Sequence, residues 1–267
     1  MKIIDSFIFY NELDLLTYRL NLLNNIVDYF IIVESTHTFI GKEKKLFFNE
    51  NKHLFENFTN KIIHIIVDDL PYKYPNVNIA NNDVWHNEFF QRNAISRGIN
   101  YIENLTESDL IIISDIDEIP DPYTLDKIKQ GTIIVDFNIL ELDLYYYNLN
   151  TRFNKYKCVA CKIISYKKYK ELNVNCTTIR RMDCSKILNG GWHLSYFGDK
   201  YCIQNKIQNF SHQELNIESY TDLKNIEKRM QNSIDLFGRN HSIEKIKIED
   251  NTYLPIDYSK YLSKYYS

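Results

Sequence analysis

Apolar runs of strand length alternate with segments of helical spacing through the first half of the chain. The strand-like runs are Ile3–Tyr10, Tyr29–Val33, Ile62–Val67 and Leu110–Ser114. After the first run, apolar residues recur every three or four positions, at Leu13, Leu16, Leu20 and Leu23. This spacing predicts an amphipathic helix capped by Asn11, and a longer helix is expected from a cap at Asp83 through Ile102. Strands that alternate with helices predict right-handed crossovers between parallel strands.

The second half of the chain has a different pattern. Ile133–Leu144 and the aromatic run Tyr145–Tyr147 predict strands of a mixed sheet. A loop-rich region follows, and Leu223–Phe237 then predicts an amphipathic helix. We therefore expect an α/β fold in which a mixed, mostly parallel sheet is flanked by helices, in one domain that spans residues 1–267.

Composition narrows the class of protein. With a formal net charge of −3 the protein has no overall positive potential that would attract nucleic acid, so no nucleic-acid partner is expected. The chain opens with a strand-like run and has no apolar stretch near the ~18 residues that span a bilayer. We therefore expect a soluble, cytoplasmic protein without a signal peptide or transmembrane anchor. The five cysteines are an odd number, which favours reduced thiols over a disulfide framework.

The strongest candidate for chemistry is an acidic motif that follows the apolar run Leu110–Ile113. Asp115, Asp117 and Glu118 come where this buried strand ends, and ligands of α/β sheets bind at the carboxyl ends of strands. Crowded carboxylates repel one another unless cations compensate them, and oxygen ligands suit Mn²⁺ or Mg²⁺. Such an ion would neutralise a leaving diphosphate, so the motif predicts metal-dependent transfer from a sugar nucleotide. A solvated acidic turn before Pro120 is the alternative.

Two other functional classes fit the same acidic strand end. A metal-dependent phosphatase or nucleotidyltransferase would also place carboxylates there. The phosphatases that carry Asp-x-Asp have it on an early strand, whereas three predicted strands precede it here. The other class is a glycan-binding pseudoenzyme.

Several further blocks of sequence accompany the acidic motif in a fixed order between Ile4 and about Gly238. The blocks are Phe9–Leu16 with Arg19 and Leu20, Val27–Ser35, Thr38–Gly41 with Lys44, Trp85–Glu88 with Arg92, Ser114–Pro120, Gly190–His193 with Ser195, and Phe210–His212 with Glu214. In their order and spacing the chain resembles glycosyltransferase family 17. The best-known members of that family add a bisecting β-1,4-linked N-acetylglucosamine to the core mannose of N-glycans.

The resemblance implies a GT-A-like nucleotide-sugar fold, a UDP-sugar donor (UDP-N-acetylglucosamine above all) and inversion at the anomeric carbon. The acceptor would be a glycan or another hydroxyl compound. Residues 1–120 would form the nucleotide-binding half, residues 121–240 the half that completes the acceptor and metal sites, and residues 241–267 a C-terminal tail. Animal members are Golgi proteins with an N-terminal membrane anchor, which this sequence lacks, so its acceptor need not be a secretory N-glycan.

The expected metal site draws on two parts of the chain. Asp117 is expected to bind the ion directly, and Asp115 would contact the ribose or a metal-bound water. Glu118 would orient these ligands without binding the ion itself. The resemblance adds His193 and His212 as late metal ligands. Each histidine could equally be structural.

The donor site is expected to use residues from several blocks. Phe9, Asn11 and Glu12 would line the base pocket, and Glu34 would accept hydrogen bonds from the uridine or ribose. Trp192 offers a face on which a sugar can stack, although a core position is the alternative. The candidate diphosphate ligands are basic, namely Arg92, Arg180, Arg181 and Lys206. Arg92 could instead form an ion pair with Glu88, four residues before it.

Inverting transfer needs a general base that takes the proton of the acceptor hydroxyl. Glu214 is the first candidate, because it follows His212 closely. Asp143 and Glu141, on the strand after the acidic motif, are the others.

Overall fold

The computed structural model describes residues 1–240 and 242–266, so His241 and Ser267, which fall in the predicted tail, lie outside it. The strands are β1 (Ile3–Phe9), β2 (Tyr29–Ser35), β3 (Ile62–Val67), β4 (Leu110–Asp115), β5 (Glu118–Pro120), β6 (Phe137–Tyr146), β7 (Asn148–Cys158), β8 (Lys162–Ser165), β9 (Ser185–Ser195) and β10 (Ile243–Lys245). The α-helices are α1 (Leu13–Leu23), α2 (Phe47–Glu50), α3 (Asp83–Asn93), α4 (Ile95–Asn100), α5 (Pro122–Lys129), α6 (Tyr166–Leu172), α7 (Cys176–Arg181), α8 (Lys200–Asn209), α9 (Glu218–Thr221), α10 (Leu223–Asn232) and α11 (Tyr258–Tyr261). Short 3₁₀ helices occupy Lys52–Phe58, Ile79–Asn81, Gln213–Leu215, Ile248–Asp250 and Ser263–Tyr265.

The strands of the described residues form one mixed sheet, in the order β10-β7-β6-β8-β4-β1-β2-β3, with β9 joined to β6 and β5 joined to β9. Strands β1 to β4 pair in parallel, and β8 continues the sheet antiparallel to β4. β9 runs parallel to β6 and antiparallel to β5. The predicted α/β fold with a mixed sheet flanked by helices is confirmed, and parallel pairing dominates the first 115 residues.

Apolar side chains cover both faces of the parallel strands. On one face Phe7 and Ile112 belong to a core that includes the leucines of α1, and on the other face Ile4 and Ile111 pack with α4. Because neighbouring residues of a strand point to opposite faces, each strand contributes to both cores. The polar residues that follow these strands lie beyond the apolar cores, at the carboxyl edge of the sheet.

The helix ends differ from the predicted ones. Glu12, not Asn11, is the N-cap of α1, and Asn82 precedes α3, so Asp83 is its first residue. The predicted helix from Asp83 to Ile102 is interrupted at Ala94, which separates α3 from α4. Within the described part of the chain no helix has the length and apolarity needed to cross a membrane.

Candidate active site

A cavity of about 280 Å³ lies where the parallel strands end. The residues after β1 and β2, the turn after β4, and side chains of α3, β9 and α8 form its wall. The lining of the cavity includes Phe9, Tyr10, Glu12, Thr38, Lys44, Trp85, Glu88, Arg92, Asp115, Asp117, His193, Lys206 and His212. This is the position at which α/β proteins bind ligands.

Asp115 is held between two arginines. Its Oδ1 accepts a hydrogen bond from Arg92 Nη2 at 2.8 Å, and its Oδ2 accepts one from Arg180 Nη2 at 2.7 Å. Arg180 also donates to Glu118, at 2.6 and 2.7 Å. Burial works against ionisation of Asp115, but Arg180 and Arg92 outweigh it and lower the pKa of that carboxyl. Asp115 is therefore an ionised carboxylate whose two oxygens are already engaged by guanidinium groups.

Asp117 has a different environment, because it faces Lys206 and His193. Lys206 Nζ lies 2.9 Å from Asp117 Oδ2, and His193 Nε2 lies 3.5 Å from Oδ1. Burial opposes the charge of Asp117, but Lys206 and His193 lower the pKa of the carboxyl well below its usual range. Burial also opposes a charge on His193, yet Asp117 and then Cys158 raise the pKa of the imidazole well above its usual value. The three side chains form a partly buried, charged cluster on the cavity wall.

The donor atoms of this cluster fit a divalent cation. A carboxylate oxygen and an imidazole nitrogen 3.5 Å apart can both bind one ion, and Mn²⁺ accepts this pair of ligand types. The imidazole must lose its proton when the ion binds. Glu118, Cys158 and His193 also bring one ligand atom each within 4.8 Å of the others, but a thiolate suits Zn²⁺ better than Mn²⁺ or Mg²⁺. Among the described residues His212 belongs to no such group of three.

Arg19 of α1 holds the backbone of the acidic motif in place through hydrogen bonds, a role that was not predicted from the sequence. Its Nη1 donates to the carbonyl oxygens of Asp115 at 2.8 Å, of Ile116 at 3.2 Å and of Glu118 at 2.9 Å. Its Nη2 lies 2.6 Å from Asp5 Oδ1, and both side chains are fully buried. The signal was present in the sequence, since one arginine interrupts the apolar face of α1 and one aspartate interrupts an apolar strand.

Several predicted donor-site residues do line the cavity. Phe9 ends β1, Glu12 follows it, and Arg92 and Lys206 face the acidic motif. Glu12 accepts hydrogen bonds from the backbone amides of Tyr10 and Asn11, which positions the segment after β1. Asn11 itself contributes to a smaller neighbouring cavity of about 30 Å³.

Glu34 and Trp192 are buried away from the cavity wall. Glu34 accepts from the amide of Phe48 at 3.0 Å and lies 3.1 Å from His64 Nε2, so it anchors α2 to β2 and β3. Trp192 is 1% exposed, and its Nε1 donates to the carbonyl of Tyr253 at 3.1 Å. Each contact supports a structural role in place of the expected contact with the uridine or the sugar.

The candidate bases also lie outside the lining of the cavity. Asp143 pairs with Lys157 at 2.6 Å, and Glu141 pairs with Lys186 at 2.7 Å. Glu214 has a side chain that is 63% exposed and lies 2.7 Å from Nδ1 of His212, which does line the cavity. The structure therefore does not bring these carboxylates to the cavity wall.

Further polar groups complete the wall, and no role was predicted from the sequence for Thr38 or Lys44. Within the described residues, Thr38 Oγ1 and Arg92 Nε are buried atoms without a hydrogen-bond partner. Buried polar groups are normally satisfied, so the two unpaired atoms are exceptions, and both residues line the cavity. Burial lowers the pKa of Lys44 to about 8, although Glu34 and Glu12 work in the opposite direction. The cavity thus combines carboxylates, several cations and unsatisfied hydrogen-bonding groups.

Comparison with known proteins links this cavity to a family. The model of Glycosyltransferase family 17 matches residues 1–244. A stretch of 122 residues is 30% identical to the beta-1,4-mannosyl-glycoprotein 4-beta-N-acetylglucosaminyltransferases of Rattus norvegicus and Homo sapiens. That stretch is 45% of this chain and 22% of each relative, so the match spans about a fifth of their length.

The similarity to one of the matching solved structures is weak. The 2-C-methyl-D-erythritol 4-phosphate cytidylyltransferase (IspD) of Francisella tularensis covers 70% of this chain and 90% of its own, at 9% identity and a TM-score of 0.35. A score this low supports no conclusion about fold or activity. The family match, in contrast, runs through every strand and helix that forms the cavity, and the chain therefore belongs to glycosyltransferase family 17.

Proposed function

We propose that the chain is a metal-dependent, inverting glycosyltransferase. It would move a sugar from a UDP-sugar to a hydroxyl group of a glycan or another acceptor. The observation that carries this proposal is the Asp117–His193 pair at a strand end, inside a cavity that also holds Lys206 and Arg92. N-acetylglucosamine is the sugar we propose, because the relatives of known activity are named as N-acetylglucosaminyltransferases.

Different residues of the cavity would bind different parts of the donor. Asp117 and His193 would hold Mn²⁺ or Mg²⁺, which neutralises the charge that develops on a leaving diphosphate. Lys206 and Arg92 pair with carboxylates of the motif, line the cavity, and would bind diphosphate oxygens. Because both now pair with carboxylates of the motif, a bound donor would share these cations with Asp115 and Asp117.

The segment after β1 and the turn after β2 would bind the nucleoside. Phe9 and Tyr10 provide aromatic surface, and the unpaired hydroxyl of Thr38 provides a hydrogen-bonding group beside it. Glu12 keeps this segment in place through its bonds to the backbone. These contacts would orient the donor without taking part in the bond change.

Calorimetric titration with UDP and Mn²⁺ tests the proposal. Wild type should bind UDP more tightly with Mn²⁺ than with a chelator, and Asp117→Asn should lose most of that difference. We expect a loss of about tenfold or more, which corresponds to ~1.4 kcal/mol. Asp126→Asn is the matched control, since Asp126 is exposed on α5 and contacts Gln130. Equal UDP affinity in all three proteins, with or without Mn²⁺, would contradict the metal site.

A further inference from the structure

A second cavity of about 420 Å³ adjoins the first. It is lined by Trp85, Glu88, Phe89, Arg92, Ala160, Thr177, Arg180 and Arg181. Trp85, Glu88 and Arg92 line both cavities and lie on one face of α3. A ligand in the second cavity would therefore reach the first cavity across these three side chains.

The second cavity has the apolar surface that a sugar ring needs. Trp85 and Phe89 are both partly exposed, and their ring centroids lie 5.9 Å apart with the rings tilted by 42°. Flat aromatic faces bind the apolar C–H face of a sugar, and neither ring is covered completely by protein. Trp85 is one of two tryptophans in the chain, and the other, Trp192, is buried.

Of the residues that the structure describes, three arginines line the second cavity, against one lining carboxylate, Glu88. Arg92 and Arg180 are paired with Glu88, Asp115 and Glu118. Arg181 lies over the ring of Phe89 at 5.8 Å, and within the described part of the chain no carboxylate lies within 4 Å of it. The Nε of Arg92 is a second donor without a partner among the described residues. A guanidinium group binds phosphate or carboxylate oxygens in two-point geometry, so an anionic group on the ligand would complete this site.

Glu88 provides a carboxylate on the wall between the cavities. One of its oxygens accepts from Arg92 at 2.8 Å, and the other accepts from the hydroxyl of Ser211. Its side chain is 15% exposed. Among the described lining residues it is the one carboxylate that both cavities share.

We propose that the second cavity binds the acceptor, a sugar that carries a phosphate or carboxylate group, and that Glu88 is the catalytic base. This proposal rests on the proposed glycosyl transfer. The acceptor oxygen forms a bond to the anomeric carbon while its proton moves to the Glu88 carboxylate. The bond between that carbon and the diphosphate oxygen breaks, and its electron pair leaves with UDP.

Tryptophan fluorescence tests the acceptor site without a donor or turnover. The probes are glucose 6-phosphate, glucuronate, glucose and inorganic phosphate, each titrated into the full chain with and without UDP. Both anionic sugars should quench Trp85 at concentrations about tenfold or more below glucose, because a charge-assisted hydrogen bond adds to stacking. Trp85→Phe should abolish the signal, and Arg181→Gln should bring the curves of the anionic sugars close to that of glucose. Lys170→Gln is the control, since Lys170 is an exposed cation over Tyr166 outside both cavities.

Four results would overturn the acceptor site. They are an equal response to glucose and the anionic sugars, a response to inorganic phosphate as strong as that to the sugars, no response to any probe, and displacement of the sugars by UDP. The last result would place the probe in the donor cavity. None of them depends on whether the chain transfers a sugar, so failure here differs from failure of the proposed function.

Glu88→Gln tests the base. The variant should bind Mn²⁺ and UDP within about threefold of wild type, while transfer from the donor should fall by a hundredfold or more, since general bases contribute about 10²–10⁴-fold. The pH profile of the residual transfer should also lose its acidic limb. A variant that loses UDP affinity and transfer equally would assign Glu88 to donor binding, and full transfer would exclude it as the base.

Discussion

Replacement of Arg19 by methionine should destabilise the protein strongly and loosen the acidic motif. Arg19 and Asp5 form an ion pair with 0% exposure of either side chain. Removing one member of a buried pair leaves the other charge uncompensated, which costs about 3–5 kcal/mol. The substitution also removes the guanidinium group that donates hydrogen bonds to the carbonyl oxygens of Asp115, Ile116 and Glu118. These losses overlap, so we expect a total near 3–5 kcal/mol.

Urea unfolding followed by circular dichroism measures this loss. The double variant Asp5→Leu with Arg19→Met removes both charges and should recover a large part of the stability, because well-packed apolar residues can replace a buried ion pair. Arg19→Lys keeps the charge but loses the planar fork, so the folded variant should bind Mn²⁺ and UDP more weakly than wild type. A loss below about 1 kcal/mol in Arg19→Met, or a double variant as unstable as the single one, would refute the reasoning.

Three further predictions concern the cavity. Lys44 lines the cavity and its pKa is lowered to about 8, so the positive charge that attracts the anionic diphosphate is lost as the pH rises. UDP affinity measured by calorimetry should therefore fall between pH 7 and pH 9, and Lys44→Arg should remove this dependence. The same lowered pKa means that the contribution of Lys44 to stability rises as the pH rises from about 8 to 10.5. Lys206→Met should raise the affinity for Mn²⁺ alone, because Asp117 loses a competing cation, while it lowers the affinity for UDP; a parallel change in both would contradict the shared-cation model. Gly191→Ala should lower the melting temperature by several degrees, because φ is +140° and an added Cβ would lie 2.0 Å from the carbonyl oxygen of Ile119; an unchanged melting temperature would show that β5 and β9 can separate at little cost.

The parallel half of the fold was predictable because each of its strands is an apolar run that ends in polar residues. The position of the acidic motif follows from the same pattern, since β4 ends at Asp115. The helix boundaries were less accessible. The end of α3 is marked by backbone hydrogen bonds from the amide of Ala94. No glycine, proline or capping side chain at Ala94 predicts this break from the sequence.

The partners of the acidic motif depend on contacts between distant segments. His193 meets Asp117 because β5 and β9 pair with Glu118 opposite His193, a register that joins residues 75 positions apart. The relative orientation of Trp192 and His193, in contrast, follows from their positions in one strand. Trp192 and His193 are neighbours on a strand, so they point to opposite faces, and a histidine in the cavity requires a tryptophan in the core.

The predicted roles of Glu34, Asp143 and Glu214 assumed that a carboxylate near a strand end or a motif reaches the ligand. In the structure Glu34 is used to hold α2, and Asp143 is paired with Lys157. Glu88, in contrast, was expected only as an alternative ion-pair partner of Arg92. That pair is present, yet it lies on the wall between two cavities, which only the packing of α3 against the sheet reveals.

Release of UDP from a panel of UDP-sugars, measured with Mn²⁺ and with a chelator, tests the central claim most directly. The account predicts Mn²⁺-dependent release of UDP from one donor, with UDP-N-acetylglucosamine as the expected one, and loss of that release in Asp117→Asn but not in Asp126→Asn. Release that is unaffected by the chelator would contradict the metal site. Inorganic phosphate or pyrophosphate in place of UDP, or no release from any donor with a range of acceptors present, would contradict glycosyl transfer itself.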